Sequence, residues 1–170
     1  MARKAHGPTE SCLTSVALLT NQRAANKAQC FKMEAVAKKF KVSLYDYQKS
    51  VFDQLMKGKD VFVCQRTGRG KSLCYLGYTT LQEGGMVLVL SPLNAIIHEQ
   101  VSFLEQHGIA AGVLGTSKLS DVIDGKFQYI FTSPETLLGK QEHRDMLRTP
   151  SFQERLRLIA IDEAHVVVMW

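Results

Sequence analysis

Between a short apolar run, Val61–Cys64, and an amphipathic stretch that opens at Lys71 lies Thr67-Gly68-Arg69-Gly70-Lys71-Ser72, and this loop constrains the fold more than any other feature. A buried strand that feeds a glycine turn and then a helix is the first half of a βα unit. Gly68 and Gly70 let the backbone turn tightly and aim N–H groups at an anion, and the start of the following helix adds its positive end. Lys71 can then reach the outer phosphates of a nucleotide, and the Ser72 hydroxyl can ligate Mg²⁺. An ordinary glycine turn would share the Gly-Lys-Ser triplet, so the reading rests on the flanking strand and helix and on a second motif. Gln65 stands where the G-x-x-x-x-G-K-[ST] pattern has its first glycine, with Arg66 beside it.

The second motif, Asp162-Glu163-Ala164-His165, follows directly on the apolar run Leu158–Ile161. Strands of a parallel sheet end at the ligand-binding edge, so the acidic pair and the glycine loop are expected to meet in one crevice. There Asp162 would hold Mg²⁺ through water and Glu163 would orient or deprotonate an attacking water. Capping of the next helix is the other use of such a pair. The phosphate loop about ninety residues upstream favours the catalytic one. His165 lies too far along to share that chemistry and is expected to couple the site to a neighbouring domain.

From Leu44 apolar runs alternate with amphipathic segments, which predicts an α/β fold with a mostly parallel sheet. Helices are expected at Met33–Phe40, at Asp46–Met56 with a stop at Lys57-Gly58, at Lys71–Leu81 and at Asn94–Gln106. A helical turn follows at Leu119–Ile123, then a helical region from Pro134 to about residue 154, interrupted near Thr149-Pro150. In Asn94–Gln106 the side chains of Ile96, Ile97, Val101 and Leu104 point inward, and His98, Glu99 and Glu105 outward. Strands are expected at Val61–Cys64, Met86–Leu90, Ile109–Leu114, Phe127–Phe131 and Leu156–Ile161.

At 170 residues and 45% hydrophobic content the chain suits one such domain with an appendage. No apolar run approaches the ~20 residues that cross a bilayer, and the N-terminus lacks a secretory stretch. A soluble intracellular protein is expected, nuclear in a eukaryote and cytoplasmic otherwise. Residues 1–25 have the Ser/Thr/Ala-rich, basic composition of a transit peptide, but Glu10 and the missing amphipathic face argue against it. Cys12, Cys30, Cys64 and Cys74 show no spacing for a metal, so zinc is not expected, and Cys64 and Cys74 read as reduced core residues. The net charge of +5 is confined to the start: residues 1–41 hold eight Lys/Arg against two Glu, the remainder thirteen against fourteen acidic residues. Residues 1–32 therefore read as a basic, short helical or flexible arm, and 33–170 as the domain.

Several of these segments resemble, in collinear order, the motifs of RecQ-like DNA helicases of superfamily 2. Thr67–Ser72 with its tail Leu73-Cys74-Tyr75 resembles motif I in its RecQ form, and Ser91-Pro92-Leu93, with Gln100 seven residues on, is similar to motif Ia. Thr132-Ser133-Pro134-Glu135 resembles motif Ib, and Asp162–His165 is the DEAH box. Trp170 falls at the first tryptophan of the family's aromatic-rich loop, and Gln48 at the glutamine that reads adenine. The resemblance implies a three-layer P-loop NTPase (RecA-like) domain that uses ATP and Mg²⁺ to move 3′ to 5′ along DNA, in repair and recombination. It implies nucleotide contacts from Gln48, Thr67, Gly68, Arg69, Gly70, Lys71 and Ser72. Hydrolysis would fall to Lys71, Asp162 and Glu163, the metal to Ser72 and Asp162, and coupling to His165 and Trp170. DNA would run past Ser91, Pro92, Leu93, Thr132 and Pro134.

Three departures stand out. Tyr45 occupies a position commonly held by arginine near the adenine, Arg66 and Arg69 replace a proline and a glycine in the loop, and Val166–Met169 replace mixed polar residues before the tryptophan. In the resembled motors ATP lies between two RecA-like domains, the second of which supplies arginines to the transferring phosphoryl group. The motifs that follow the acidic box in the family are absent from these residues. The expectation is a domain incomplete at its C-terminus, which binds ATP weakly and neither hydrolyses it fast nor unwinds DNA. One alternative is a degenerate helicase fragment acting as a non-catalytic nucleic-acid or protein interaction module through its basic arm. Another is a different P-loop ATPase, against which Leu73-Cys74-Tyr75 and Ser91-Pro92-Leu93 argue.

Overall fold

Met86–Leu90 is apolar on both sides of its pleat, so a strand made from it is stable only where both faces are covered. The computed structural model, which describes residues 13–20, 30–82 and 84–164, places it in the interior of a six-stranded sheet. In chain order the elements are β1 (Leu13–Thr20), α1 (Cys30–Phe40), α2 (Asp46–Met56), β2 (Val61–Arg66), α3 (Leu73–Leu76), α4 (Tyr78–Leu81), β3 (Met86–Leu90) and α5 (Asn94–Gln106). They continue as β4 (Ala111–Val113), α6 (Leu119–Ile123), β5 (Tyr129–Thr132), α7 (Pro134–Gly139), α8 (Gln141–Arg148), α9 (Pro150–Arg155) and β6 (Leu156–Ile161). The strand order is β2-β1-β6-β3-β5-β4. β6, β3, β5 and β4 pair in parallel, as the alternating sequence predicts, and β1 pairs antiparallel with both β2 and β6.

Side-chain alternation along the strands splits the core into two. Val87, Val89, Tyr129, Phe131, Leu158 and Ala160 pack against residues of α1 to α5, Phe52, Tyr75 and Leu104 among them. Met86, Leu88 and Ile130 pack on the opposite face against Val122, Leu137, Met146 and Phe152 of α6 to α9. Helices on both faces make the expected three layers. Burying one such aromatic or leucine contributes roughly 1.5–3 kcal/mol.

β1 is the main addition to the sequence-based division, which assigns residues 1–32 to an arm. Val16 and Leu18 are fully buried in the first core, and the Thr20 N–H donates to Asp60 Oδ1 at 2.8 Å, fixing the end of β1 to the start of β2. Among the described residues β2 pairs with β1 alone, so β1 ties the phosphate-loop strand to the rest of the sheet. On the other side of β2 Phe62 is 64% exposed. Cys64 is exposed there as well, which corrects its reading as a core residue, while Cys74 is buried as expected.

Two helices are shorter than their periodicity suggests. The segment predicted over Lys71–Leu81 begins at Leu73 and breaks at Gly77, where α3 and α4 meet. A Cβ at Gly77 would lie 2.8 Å from Val36 Cγ1, so the break sits at a close approach to α1. The region after Pro134 is interrupted at Lys140 as well as at Thr149, because Lys140 is extended at φ −107, ψ 134. The His143 ring and the Arg144 guanidinium take the Thr136 and Leu138 carbonyls that α7 leaves without helical partners.

Candidate active site

β2 ends at Arg66 and β6 at Ile161, and one strand separates them, so the phosphate loop and the acidic box open on the same edge of the sheet. They share a cleft of about 370 Å³ whose walls include Thr67, Gly68, Gly70, Lys71, Ser72, Gln100, Asp162 and Glu163. Gly68 and Gly70 take φ values of +78 and +72, the left-handed region that L side chains rarely adopt. A Cβ at Gly68 would meet nothing within 4 Å, so the space over the loop is open to a ligand. Because α3 holds a single turn, the field at the loop comes from its first N–H groups and not from a long helix.

Lys71 is 9% exposed, and its ammonium donates to the Gln65 and Arg66 carbonyls at 3.3 and 3.2 Å. Those are neutral acceptors, which a phosphate oxygen, carrying charge, would outcompete. Asp162 is 6% exposed. Its Oδ2 accepts the Tyr75 hydroxyl at 2.9 Å and lies 3.5 Å from Gln100 Nε2, and its Oδ1 accepts the Glu163 N–H at 3.1 Å. Burial first, and then the charge of Asp162, hold the Tyr75 phenol well above its ordinary pKa, so it remains a donor. Glu163 itself has φ +51, a left-handed geometry that costs a non-glycine residue about 1–2 kcal/mol and is a recurrent feature of functional sites. An ammonium, a hydroxyl, two carboxylates and a glycine backbone suit a polyphosphate with a hard cation.

Gln48 lies beneath the phosphate loop. Its side chain is 1% exposed, with Nε2 donating to the Gly70 carbonyl and Oε1 accepting the Tyr45 N–H, both at 2.8 Å. Both ends of the amide are therefore engaged by backbone, and the residue braces the loop from below. Tyr47 braces it from the side, its hydroxyl donating to the Arg69 carbonyl. The Arg69 guanidinium lies 4.5 Å over the Tyr45 ring. The position where Tyr45 replaces an arginine of the resembled family thus still carries a guanidinium, supplied by the loop.

Ser91, Pro92 and Leu93 lie at the carboxyl end of β3 and Thr132 and Pro134 at that of β5, joined by a bond from the Ser91 N–H to the Thr132 carbonyl at 3.0 Å. The side chains of Ser91, Thr132 and Pro134 are buried, and Leu93 is 51% exposed. The accessible groups here are those of a second cleft of about 620 Å³, lined by Asn94, His98, Thr116, Ser133, Glu135 and Lys140 among others. His165 and Trp170, expected to couple the site to a neighbouring domain, fall outside the described residues. Among the described residues no three His, Cys, Asp or Glu side chains cluster as metal ligands, and no helix is long and apolar enough to cross a membrane.

Sequence reasoning used Tyr75 and Gln100 only as marks of resemblance and assigned neither a task. A signal for Gln100 was present: it lies on the inward row of α5, three residues after Ile97 and four before Leu104, where a polar side chain needs a buried partner.

Known proteins are similar in sequence to this chain. Residues 45–170 match the DEAD/DEAH box helicase family. The chain is 34% identical over 133 residues to an ATP-dependent DNA helicase Q-like SIM of Arabidopsis thaliana, covering 75% of this chain and 15% of that protein. It is 32% identical over 131 residues to an ATP-dependent DNA helicase RecQ of Haemophilus influenzae, covering 72% and 20%. It is 34% identical over 126 residues to the bifunctional 3′-5′ exonuclease/ATP-dependent helicase WRN of Mus musculus, covering 72% and 9%. The matched part thus spans a fifth or less of each of these relatives.

Proposed function

The chain belongs to the DEAD/DEAH box helicase family, and from that premise we propose that it is the ATP-binding part of a RecQ-like DNA helicase. The observation that carries this reading is the convergence of Lys71, Ser72, Asp162 and Glu163 on one cleft. In it Lys71 leaves the Gln65 and Arg66 carbonyls for the outer phosphates, and the N–H groups around Gly68 and Gly70 hold the rest of the polyphosphate. Ser72 and Asp162 would hold Mg²⁺, which would supply neutralisation of phosphate charge. Glu163 orients the water that attacks the terminal phosphate. Gln48 and Tyr47 keep the loop in its left-handed turns, and Tyr45 with Arg69 faces the base.

Single-stranded DNA lies across the carboxyl ends of β3, β5 and β4, over the second cleft, through contacts that do not read sequence. ATP hydrolysis in the assembled enzyme drives 3′-to-5′ movement on that strand, in the nucleus of a eukaryotic cell or the cytoplasm of a bacterium. Fast hydrolysis needs arginines from a second RecA-like domain.

Calorimetry with Mg²⁺-ATP on the full chain and on Lys71→Ala tests the reading. Saturable binding that disappears in the variant is expected. A folded chain that binds no nucleotide, or binds it equally well without the lysine, overturns it.

A further inference from the structure

Neither Tyr75 nor Gln100 has a part in the chemistry assigned above, yet both side chains end on Asp162. Tyr75 is fully buried and Gln100 8% exposed, so neither is there to meet solvent. The Tyr75 hydroxyl oxygen lies 2.9 Å from Asp162 Oδ2 and 3.1 Å from Gln100 Oε1, while Gln100 Nε2 lies 3.5 Å from the same Oδ2. A phenol carries one proton and faces two acceptors here. While the carboxylate holds its full charge, the bond to Asp162 is the stronger of the two.

Resting on the nucleotide-site reading, we propose that Tyr75 and Gln100 are positioning residues for Asp162, the Tyr75 hydroxyl holding Oδ2 so that the carboxylate is set to take up Mg²⁺. Gln100 gives this contact a route outward. α5 begins directly after Ser91-Pro92-Leu93, lines the second cleft through Asn94 and His98, and lines the nucleotide cleft through Gln100. One helix thereby joins the cation-holding carboxylate to the surface proposed for DNA.

The test compares the full chain with Tyr75→Phe, which removes the hydroxyl and keeps the ring. ATP affinity is measured by calorimetry in EDTA and in Mg²⁺. Tyr75→Phe is expected to leave the EDTA affinity within about twofold and to cut the gain brought by Mg²⁺ by about tenfold, the effect of one hydrogen bond to a charged group. An unchanged Mg²⁺ gain, or equal losses in both conditions, overturns the proposal, since a purely structural tyrosine would act alike in each. A urea-unfolding cycle of Tyr75→Phe, Asp162→Asn and the double substitution needs no nucleotide. A double variant less destabilised than the two singles together supports the pair, and strict additivity overturns it. If the unsubstituted chain binds no ATP, the proposed function fails, and the cycle still decides whether Tyr75 positions Asp162.

Discussion

The Gln48 amide nitrogen holds the Gly70 carbonyl at 2.8 Å across twenty-two residues, and so couples the first turn of α2 to the loop that precedes α3. Gly70 has no room for more: a Cβ there would stand 3.0 Å from that same nitrogen, on a backbone with φ +72. The contact makes Gln48 part of the loop's architecture.

Gln48→Ala therefore lowers affinity for inorganic tripolyphosphate as much as for ATP, by about tenfold, because the loop that cradles phosphate loses its brace. Stability falls by about 1–3 kcal/mol, since the Gly70 carbonyl and the Tyr45 N–H both lose a partner. Calorimetry with the two ligands checks this. Tripolyphosphate binding left intact while ATP binding drops would return Gln48 to reading the base.

Sheet order makes a stronger demand of β1. Aspartate in place of Val16 or Leu18, both 0% exposed, buries a charge in the strand that joins β2 to β6, and is expected to cost more than about 4 kcal/mol. Removing residues 1–20 is expected to abolish cooperative urea unfolding. Phe62→Ser, at a 64% exposed position of the adjacent strand, is expected to change stability by no more than about 0.5 kcal/mol. A truncated chain that unfolds as cooperatively as the full one would show that the β2 pairing is dispensable.

What was legible from sequence follows the range of the interactions involved. α2, β3, α5, α6 and β6 run over the expected residues because each carries its own periodicity and stop signal. The meeting of the phosphate loop and the acidic box was legible too, since parallel strands bring their carboxyl ends to one edge. β1 was not: its partners lie in Val61–Arg66 and Leu158–Ile161, far along the chain. Nor was the bracing contact of Gln48, for a related reason. Its two partners are backbone atoms of Tyr45 and Gly70, and no side-chain pattern announces a bond to a carbonyl.

At the second cleft, exposure separates two candidates for contact with single-stranded DNA. Lys140 has a 60% exposed side chain whose ammonium lies 3.7 Å from Glu142, too loose a pair to neutralise it. Lys140→Ala is expected to weaken binding severalfold and to lower the slope of log K against log salt by about 0.7, one phosphate contact. Ser91→Ala is expected to leave affinity unchanged, because Ser91 is 0% exposed. Fluorescence anisotropy with a labelled oligonucleotide over a salt series reads both, and a large loss at Ser91 alone would move the DNA path off this cleft.

Alkaline pH tests the burial of the first core. Burial pushes the Cys74 thiol from its ordinary 9.0 up to about 12 and the Tyr47 phenol from 10.0 up to about 12, and it raises Tyr129 further. Between pH 9 and 12 the unfolded chain has released the thiol proton that the folded chain retains, so the unfolded state binds fewer protons and stability falls as pH rises. Each such group contributes a slope of at most about 1.4 kcal/mol per pH unit across its window, and no slope below it. Urea unfolding is therefore expected to give a constant stability from pH 7 to about 8.5 and a steepening loss above pH 9. Cys74→Ala lowers stability at pH 7 through the lost packing but flattens the loss above pH 9. Equal alkaline slopes in the two proteins would mean that the Cys74 thiol ionises as freely in the folded chain as in the unfolded one, and that the core beneath the phosphate loop is open to water.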